Sequence, residues 1–210
     1  MSGDPGENLG PEEIERRSLE AVSDGLEGFS LPAGLESVIK RVIHATADFD
    51  YAESIRGSPG AAAAGIAALR SGVPLVVDTR MVQAGINRAA CRALGCETHC
   101  LIDDPEIAAA AGGRTRAGLA MEKAARLWRD GIYVVGNAPT ALMRICELIS
   151  EAKLSPRLVV GVPVGFVQVL ESKEMLLASR AAHIVAKGRK GGSSVAAAIL
   201  NALLKEALAG

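Results

Sequence analysis

The sequence predicts an α/β fold in which a doubly wound, mostly parallel, five-stranded sheet carries helices on both faces. Two observations lead to this prediction. Short apolar runs, each typical of a strand buried on both faces, recur through residues 73–186, and a helical pattern separates each run from the next. Strands that alternate with helices are typical of a parallel sheet. We expect a flavodoxin-like strand order, with extra N-terminal helices packed on the sheet.

Helical segments precede the alternating part of the chain. Residues 1–10 are predicted to form a flexible tail, because the start of the chain is rich in Gly, Pro and Glu and lacks the apolar stretch of a signal peptide. Residues 11–210 are long enough for a single α/β domain with a substantial core. The predicted N-terminal helices are Pro11–Val22, Leu31–Ala45 and a helix from Ser58 to Arg70, with Ser58 as its N-cap.

Five strands and five helices then alternate. The strands are predicted at Val73–Asp78, Glu97–Ile102, Ile132–Gly136, Arg157–Gly161 and Ala182–Ala186. The helices are predicted at Met81–Leu94, Thr115–Trp128, Ala138–Ser150, Glu171–Ser179 and Ser193–Leu208. Aromatic residues make up only 3% of the chain against a hydrophobic share of 49%, so the core must be built from Ala, Val, Leu and Ile.

Charge and composition exclude several classes of partner. The formal net charge of −1 gives no global field that would recruit nucleic acid, and no apolar run is long enough to span a membrane. We therefore expect a cytoplasmic protein. Cys91, Cys96 and Cys100 cluster beside His99, but their spacing matches neither a zinc pair nor an iron–sulfur site. We predict no metal site here and expect these cysteines to pack as small hydrophobic residues.

One histidine lies off the apolar face of its predicted helix. The apolar stripe of that helix, at helical spacing, consists of Leu35, Val38, Ile39, Val42 and Ile43. His44 falls roughly opposite Leu35 on the helical wheel. Such a histidine is either exposed to solvent, or it faces a cleft or a partner subunit. A histidine that faces a cleft can hand a proton to a bound ligand near neutral pH.

The loops after the predicted strands are the expected ligand-binding region, because doubly wound sheets bind ligands outside the carboxyl ends of their strands. These loops are Asp78–Met81, Asp103–Arg116, Gly136–Thr140, Gly161–Gly165 and Gly188–Ser194. In the last of them, glycines free backbone N–H groups at a helix start, which favours an anion. A flexible turn with Ser193 or Ser194 as N-cap explains the same residues.

Two other loops also allow two interpretations. Asn137 projects an amide at the end of a strand, whereas Pro139 beside it is explained by a helix start alone. The glycines of Gly161–Gly165 bracket an apolar pair that suits a wall against a flat apolar ligand, or simply a turn. Basic residues concentrate in or beside these loops and suggest a ligand with several carboxylates or phosphates. They are Arg80, Arg88, Arg114, Arg116, Lys187, Arg189 and Lys190.

The sequence lacks the motifs of several enzyme classes. No G-x-G-x-x-G follows a strand, no G-x-S-x-G elbow is present, and the order of residues 188–194 is not that of a P-loop. A flavodoxin-like nucleotide or phosphate enzyme is therefore disfavoured. The remaining interpretation is a site that combines a single acid/base group with basic loop residues that bind a polyanion.

Several segments together resemble the precorrin-8X methylmutases, or precorrin isomerases, enzymes of corrin ring synthesis on the route to cobalamin. The resemblance runs from about Pro11 to the C-terminus. It rests on Arg17–Ser18, Val42–Thr46 with Asp48, Ser58–Gly60, Asp78 with Met81, Thr115–Arg116, Gly136–Leu142, Gly161–Val167, Glu171–Lys173 and Gly188–Ser193. It implies a doubly wound α/β fold, a homodimer with its active site at the subunit interface, and no required cofactor.

The resemblance also implies a reaction. The family moves a methyl group from C11 to C12 of the ring, formally a [1,5]-sigmatropic shift, and converts precorrin-8X or cobalt-precorrin-8 to hydrogenobyrinate or cobyrinate. His44 matches the family's catalytic histidine, Ser18 a serine that contacts the substrate, and Thr115–Arg116 a carboxylate-binding position. A single histidine suits this chemistry, because protonation of a ring nitrogen makes the π-system electron-poor and eases migration.

The sequence thus predicts His44 as the catalytic residue of a shared site in a homodimer. The predicted substrate-binding residues are Ser18, Thr46, Arg80, Thr115, Arg116, Asn137, Pro163, Gly165, Gly191, Gly192 and Ser193. The alternative hypothesis is a non-catalytic tetrapyrrole carrier of the same pathway, which would have the same cradle but no need of His44.

Overall fold

The centre of the fold is a mostly parallel sheet. The computed structural model describes residues 9–110 and 112–209. The strands in this part of the chain are β1 Ile55–Gly57, β2 Leu75–Val77, β3 Thr98–His99, β4 Ile132–Val135, β5 Leu158–Gly161 and β6 His183–Ala186. Their order across the sheet is β1-β6-β5-β4-β2-β3, and every neighbouring pair is parallel except β1 with β6. The described sheet is therefore mixed but mostly parallel.

The predicted number of five strands is wrong, because the sheet has a sixth strand, β1, at one edge. This strand runs antiparallel to β6, with Ile55 opposite Ala186 and Gly57 opposite Ile184. Its three residues are too few to show the alternation by which strands are recognised in a sequence. Only pairing with β6, which lies far away in the sequence, makes this segment a strand.

The order of the parallel strands fixes where a ligand can bind. The first parallel strand along the chain, β2, lies between β3 and β4, so the connections leave it toward opposite edges of the sheet. Such a switch point leaves a crevice outside the carboxyl ends of the strands. We refer to this side of the sheet as the carboxyl edge.

Helices cover both faces of the sheet. Those in the described part of the chain are α1 Pro11–Gly25, α2 Glu36–Thr46, α3 Tyr51–Ser54, α4 Ala61–Arg70, α5 Arg80–Gly85, α6 Arg88–Ala93, α7 Pro105–Ala109, α8 Arg116–Leu127, α9 Pro139–Ser150, α10 Val169–Leu177 and α11 Ser193–Ala209. Of the predicted tail, residues 1–8 lie outside the described part, and Leu9 and Gly10 have no regular structure. No helix among the described residues is both long enough and apolar enough to cross a membrane.

Several predicted boundaries are wrong. The helix predicted from Leu31 begins at Glu36, and the helix predicted at Glu171–Ser179 spans Val169–Leu177. The single helix predicted at Met81–Leu94 is divided into α5 and α6, because Asn87 caps a new helix through its Oδ1, which accepts from the N–H groups of Ala89 and Ala90 at 3.0 Å. The strand predicted at Glu97–Ile102 is reduced to the two residues of β3.

The predicted start of α4 is also wrong. The predicted N-cap, Ser58, instead accepts a hydrogen bond from the N–H of His183 at 3.1 Å through its Oγ, and thereby joins the end of β1 to β6. The helix begins two residues after Pro59, following Gly60, which has a φ of +74°. A left-handed residue immediately before a helix suits glycine.

Two apolar layers lie on opposite faces of the sheet, because successive strand residues point to opposite faces. In β4, Ile132 and Val134 pack with α2, α4 and α11, whereas Tyr133 and Val135 pack with α8 and α9. The strands that carry the loops of the carboxyl edge are thus packed on both faces.

Burial raises the pKa of Cys96 to about 11, so this thiol stays protonated and packs as an apolar group.

Candidate active site at the carboxyl edge

The loops that follow β2, β4, β5 and β6 meet at the carboxyl edge. The hydroxyl oxygens of Thr79 and Ser193 lie 3.3 Å apart, which joins the loop after β2 to the start of α11. The N–H of Gly192 donates to the carbonyl of Val162 at 2.9 Å, which joins the loops after β6 and β5. Gly136 lies so close to Ser193 that a Cβ on the glycine would be 2.9 Å from the Ser193 Cα. The structure thus brings together these four loops. The fifth expected loop, Asp103–Arg116, joins them through the Arg80–Asp103 ion pair and the Thr115–Thr140 hydrogen bond.

A buried carboxylate positions the loop after β4. Asp78 is only 1% exposed, and its Oδ1 accepts from the N–H of Gly136 at 3.0 Å. Its Oδ2 accepts from the N–H groups of Asn137 and Ala138 at 2.7 and 2.8 Å. Burial raises the pKa of Asp78, although these three donors favour its charged form. Asp78 therefore holds Asn137, whose side chain is exposed at the carboxyl edge.

Packing against the backbone at Val162 determines the conformation of the loop Gly188–Gly192, which we call the glycine loop. Gly191 has a φ of +155°, and a Cβ there would lie 2.2 Å from the carbonyl oxygen of Val162. Both glycines therefore set the shape of the loop, and the N–H of Gly192, which donates to Val162, is not available to a ligand. The first-turn N–H groups of α11 remain as anion donors.

His44 lies in the last turn of α2, on the side away from the apolar stripe. The stripe is confirmed, because Val38, Ile39, Val42 and Ile43 are at most 1% exposed, whereas His44 is half-buried. The helix ends at Thr46 and is followed by Ala47, which has a left-handed φ of 53°.

Two carboxylates tie this helix end to the glycine loop. The Nζ of Lys190 lies 2.6 Å from Asp48 Oδ2 and also contacts Asp50. Lys190 holds the pKa of the Asp48 carboxyl below its ordinary value. These ion pairs place the end of the His44 helix beside the loops of the carboxyl edge.

The basic residues of the edge differ in how far their charge is already compensated. Lys190 faces two carboxylates, the Nε of Arg80 lies 2.9 Å from Asp103 Oδ2, and Arg114 lies 3.3 Å from Glu122. Arg88 lines a groove beside β3, with Cys91, Arg92 and Cys96. Within the described residues, Arg116, Lys187 and Arg189 have no carboxylate within 4 Å and are the bases best able to receive an anionic ligand.

Exposed apolar side chains line the same edge. Phe166 is 87% exposed and Val167 77%, both in the loop between β5 and α10, and Met81 at the start of α5 is 73% exposed. We call Met81, Phe166 and Val167 the apolar rim. Pro163, at the base of the β5–α10 loop, is buried, and Gly165 turns the chain with a φ of +145°. The rim offers a flat ligand or a second chain a surface that would otherwise face water.

Four other predicted residues lie at helix ends or on a neighbouring helix. The hydroxyl of Thr46 donates to the carbonyl of Val42 at 2.8 Å. Thr115 caps α8 and donates to the Thr140 hydroxyl at 2.9 Å, beside an open groove of about 330 Å³, and Arg116 next to it is exposed. Ser18 is half-buried on α1, which packs against α2.

Comparison with known proteins decides the family. The family model described as precorrin-8X methylmutase matches residues 13–206. The chain belongs to the precorrin-8X methylmutase family. Members of this family are isomerases, so the chain is an isomerase, and its role lies in cobalamin biosynthesis.

Individual relatives agree with this assignment. The cobalt-precorrin-8 methylmutase of Leptospira interrogans is 41% identical, with 94% of each chain covered. The precorrin-8X methylmutase of Pseudomonas aeruginosa is 40% identical over 92% of this chain and 94% of its own. The crystal structure of precorrin-8X methylmutase from Thermus thermophilus matches with a TM-score of 0.90 and 40% identity, over 95% of this chain and 97% of that one.

One buried residue that contacts the glycine loop was not predicted from the sequence. Lys173 on α10 is 2% exposed, and its Nζ donates to the carbonyls of Gly188 and Lys190, both at 2.7 Å. The segment Glu171–Lys173 contributes to the family resemblance, but a lysine within a helical pattern is usually solvated, so no signal marked it as buried. Burial lowers the pKa of Lys173 from its ordinary value of 10.5 to about 8.

The lowered pKa of Lys173 predicts a pH-dependent contribution to stability. Between pH 8 and 10.5 the folded methylmutase binds fewer protons at this group than the unfolded chain, so the contribution of Lys173 to the unfolding free energy rises with pH in that window. We expect the unfolding free energy of wild type to increase relative to that of Lys173→Met between these pH values in urea titrations. A constant difference between the two proteins would contradict the shift.

Proposed function

We propose that the chain catalyses the intramolecular migration of a methyl group from C11 to C12 of precorrin-8X or cobalt-precorrin-8, giving hydrogenobyrinate or cobyrinate. The observation that carries the proposal is the ion pairing of Lys190 with Asp48 and Asp50, which brings the end of the His44 helix to the glycine loop. Relatives with nearly equal identity have been named for the metal-free and for the cobalt-containing ring, so the proposal covers both forms.

His44 acts as the proton donor in this proposal. A proton on a ring nitrogen withdraws electron density from the conjugated system and lowers the barrier to methyl migration. The methyl group leaves C11 and bonds to C12 within one molecule, and the ring nitrogen then returns its proton to His44. Atoms and electrons therefore balance without a second substrate or a redox cofactor. Support for this role comes from the half-buried position of His44 off the apolar stripe.

Substrate binding in this proposal divides between charge and shape. Arg116, Lys187, Arg189 and the first turn of α11 receive the peripheral acetates and propionates, since the three side chains have no carboxylate partner among the described residues. The apolar rim contacts a face of the macrocycle. Thr115, Asn137 and Ser193 add hydrogen bonds, whereas Thr46, Pro163, Gly165, Gly191 and Gly192 shape the surroundings. Ser18 and Arg80 contact the ring from the periphery of the site.

Replacing Arg116 with alanine is expected to weaken binding of the carboxylated ring about tenfold, because a charge-assisted hydrogen bond is lost. The loss should shrink at high salt, since Arg116 is exposed. Titration of hydrogenobyrinate, followed by its absorption spectrum, measures the effect. Arg126→Ala, at the other end of α8, is the matched control. An equal loss for the fully esterified ring would rule out carboxylate pairing.

We further propose that residues 11–210 work as one domain in the cytoplasm and that two copies form a homodimer with shared sites. The apolar rim supports the dimer, because large exposed apolar side chains such as Phe166 and Val167 are typical of surfaces that bind another chain. Covering them with a second chain would also exclude water from the proton donor and strengthen its interaction with the ring.

The dimer makes two measurements predictable. Light scattering should give a mass near twice the 21.7 kDa of the chain. If His44 and Arg116 reach one site from different subunits, equal mixing of refolded His44→Ala and Arg116→Glu chains should restore about a quarter of wild-type activity, since half of the dimers are mixed and each has one intact site. A fully active monomer, or no recovery on mixing, would contradict this sharing.

A non-catalytic carrier of the same macrocycle is the second candidate, because the charged loops and the apolar rim suit binding alone. Turnover separates the two functions. With substrate in large excess, the proposed enzyme converts all of it, whereas a carrier leaves the free ring unchanged and protects only the fraction that it binds.

A further inference from the structure

The most unusual side chain outside the proposed contact surface is Lys173. A lysine that is 2% exposed is rare, and no carboxylate lies within 4 Å of it in the described part of the chain. A buried charge without an ionic partner lowers stability unless other groups compensate for its lost hydration. Its compensation here consists of two loop carbonyls, those of Gly188 and Lys190, each 2.7 Å from Nζ.

These two bonds complete a fixed set of contacts along the glycine loop. The carbonyl of Arg189 accepts from the N–H of Gly165 at 3.4 Å, and the N–H of Gly192 donates to Val162 at 2.9 Å. The bonds from Lys173 are made at positions 188 and 190, on either side of the contact at Arg189. The ammonium group therefore holds the carbonyls of the segment that also carries Arg189 and the Lys190 ion pairs to the His44 helix.

We propose that Lys173 is a positioning residue, which holds the glycine loop in the shape required to bind the carboxylates of the macrocycle and to place the His44 helix beside it. This inference rests on the proposed function. It explains why a lysine is present where an apolar side chain of the same length would fill the space without a desolvation penalty.

The melting temperature and ring binding of Lys173→Met distinguish a positioning role from a merely structural one. If Lys173 served stability alone, Lys173→Met would unfold at a lower temperature and bind the ring normally. For a positioning residue we expect a melting temperature equal to or above that of wild type, because methionine fills the same volume without a buried charge. We also expect amide hydrogen exchange in residues 188–193 to become at least about tenfold faster, because two charge-assisted bonds are lost.

The functional test uses the full chain and two ligands, hydrogenobyrinate for binding and precorrin-8X for turnover. We expect Lys173→Met to raise the Kd for hydrogenobyrinate and the KM for precorrin-8X about tenfold. The control is Lys205→Met. Lys205 is exposed and lies about 18 Å along α11 from its start at Ser193, so this variant removes the same charge and should change neither value. Lys173→Arg retains donors for both carbonyls and should lie closer to wild type than Lys173→Met does in both exchange and KM.

The outcomes distinguish this inference from the proposed function. Wild type that neither binds hydrogenobyrinate nor converts precorrin-8X would contradict the proposed function. Wild type that binds normally, together with Lys173→Met of unchanged Kd, KM and exchange in residues 188–193, would overturn the positioning role alone. If Lys173→Met does not fold, Lys173→Arg decides: wild-type KM with wild-type loop exchange supports the role, and wild-type KM with fast loop exchange overturns it.

Discussion

Replacing His44 with alanine is expected to reduce turnover by about 10²–10⁴-fold while the ring still binds, because general acid catalysis typically contributes that factor. His44 is half-buried at the end of α2 and lies outside the apolar stripe, so its removal leaves the packing of Val42 and Ile43 intact. The melting temperature should therefore stay close to that of wild type. Single-turnover absorption measurements, made with enzyme in excess, separate the loss of the chemical step from a change in substrate affinity.

The chain offers a matched control for this variant. His99 is also partly exposed, but it stacks on Trp128 with ring centroids 3.9 Å apart and lies on β3, away from the glycine loop. His99→Gln should retain wild-type turnover. Near-normal turnover by His44→Ala would eliminate the proton-donor role and would favour catalysis by conformational restraint of the ring alone.

Replacing Asp78 with asparagine is expected to lower the free energy of unfolding by roughly 2–4 kcal/mol, because buried donors are left without a charged acceptor. The new amide can accept through one oxygen, but its NH₂ group would face an N–H of Gly136, Asn137 or Ala138. The loop after β4 should shift, and the KM for precorrin-8X should rise because Asn137 moves with it. Urea unfolding and steady-state kinetics measure the two effects.

Asp103→Asn is the control for this change. Asp103 makes an exposed ion pair with Arg80, and exposed pairs contribute at most about 1 kcal/mol. The same chemical substitution should therefore have a small effect on unfolding at Asp103 and a large effect at Asp78. Equal effects at both positions would show that the three backbone bonds to Asp78 contribute little.

The parts of the fold that were predictable are those in which local pattern and burial agree. Ile132–Val135 and Leu158–Gly161 are buried along their whole length and appear as unbroken apolar runs, so their strands were placed to within one residue. The stripe of α2 follows one helical face and was predicted correctly for the same reason. By contrast, β1 depends on pairing with β6, and the division of α5 from α6 depends on a single side-chain cap at Asn87.

The meeting of the loops at the candidate site was predictable, but the contacts among their side chains were not. The carboxyl ends of parallel strands share one edge, which brought Asn137, Pro163 and Ser193 to the same region. Spacing along the chain does not reveal which charges neutralise each other, so Lys190 seemed available to a ligand although two carboxylates of the α2–α3 segment bind it. Burial of Lys173 was likewise invisible, because it depends on packing beneath a loop that follows a different strand.

The most direct test of the proposed reaction follows the migrating methyl group itself. Precorrin-8X labelled with ¹³C in the methyl group at C11, and the matching cobalt complex, would each be incubated with a small amount of the protein and examined by NMR and absorption spectroscopy. The proposed function predicts that the label appears on C12 of hydrogenobyrinate or cobyrinate over many turnovers with at least one of the two substrates. Retention of the label at C11 in both substrates, while both bind to the protein, would contradict the methyl shift and favour the carrier.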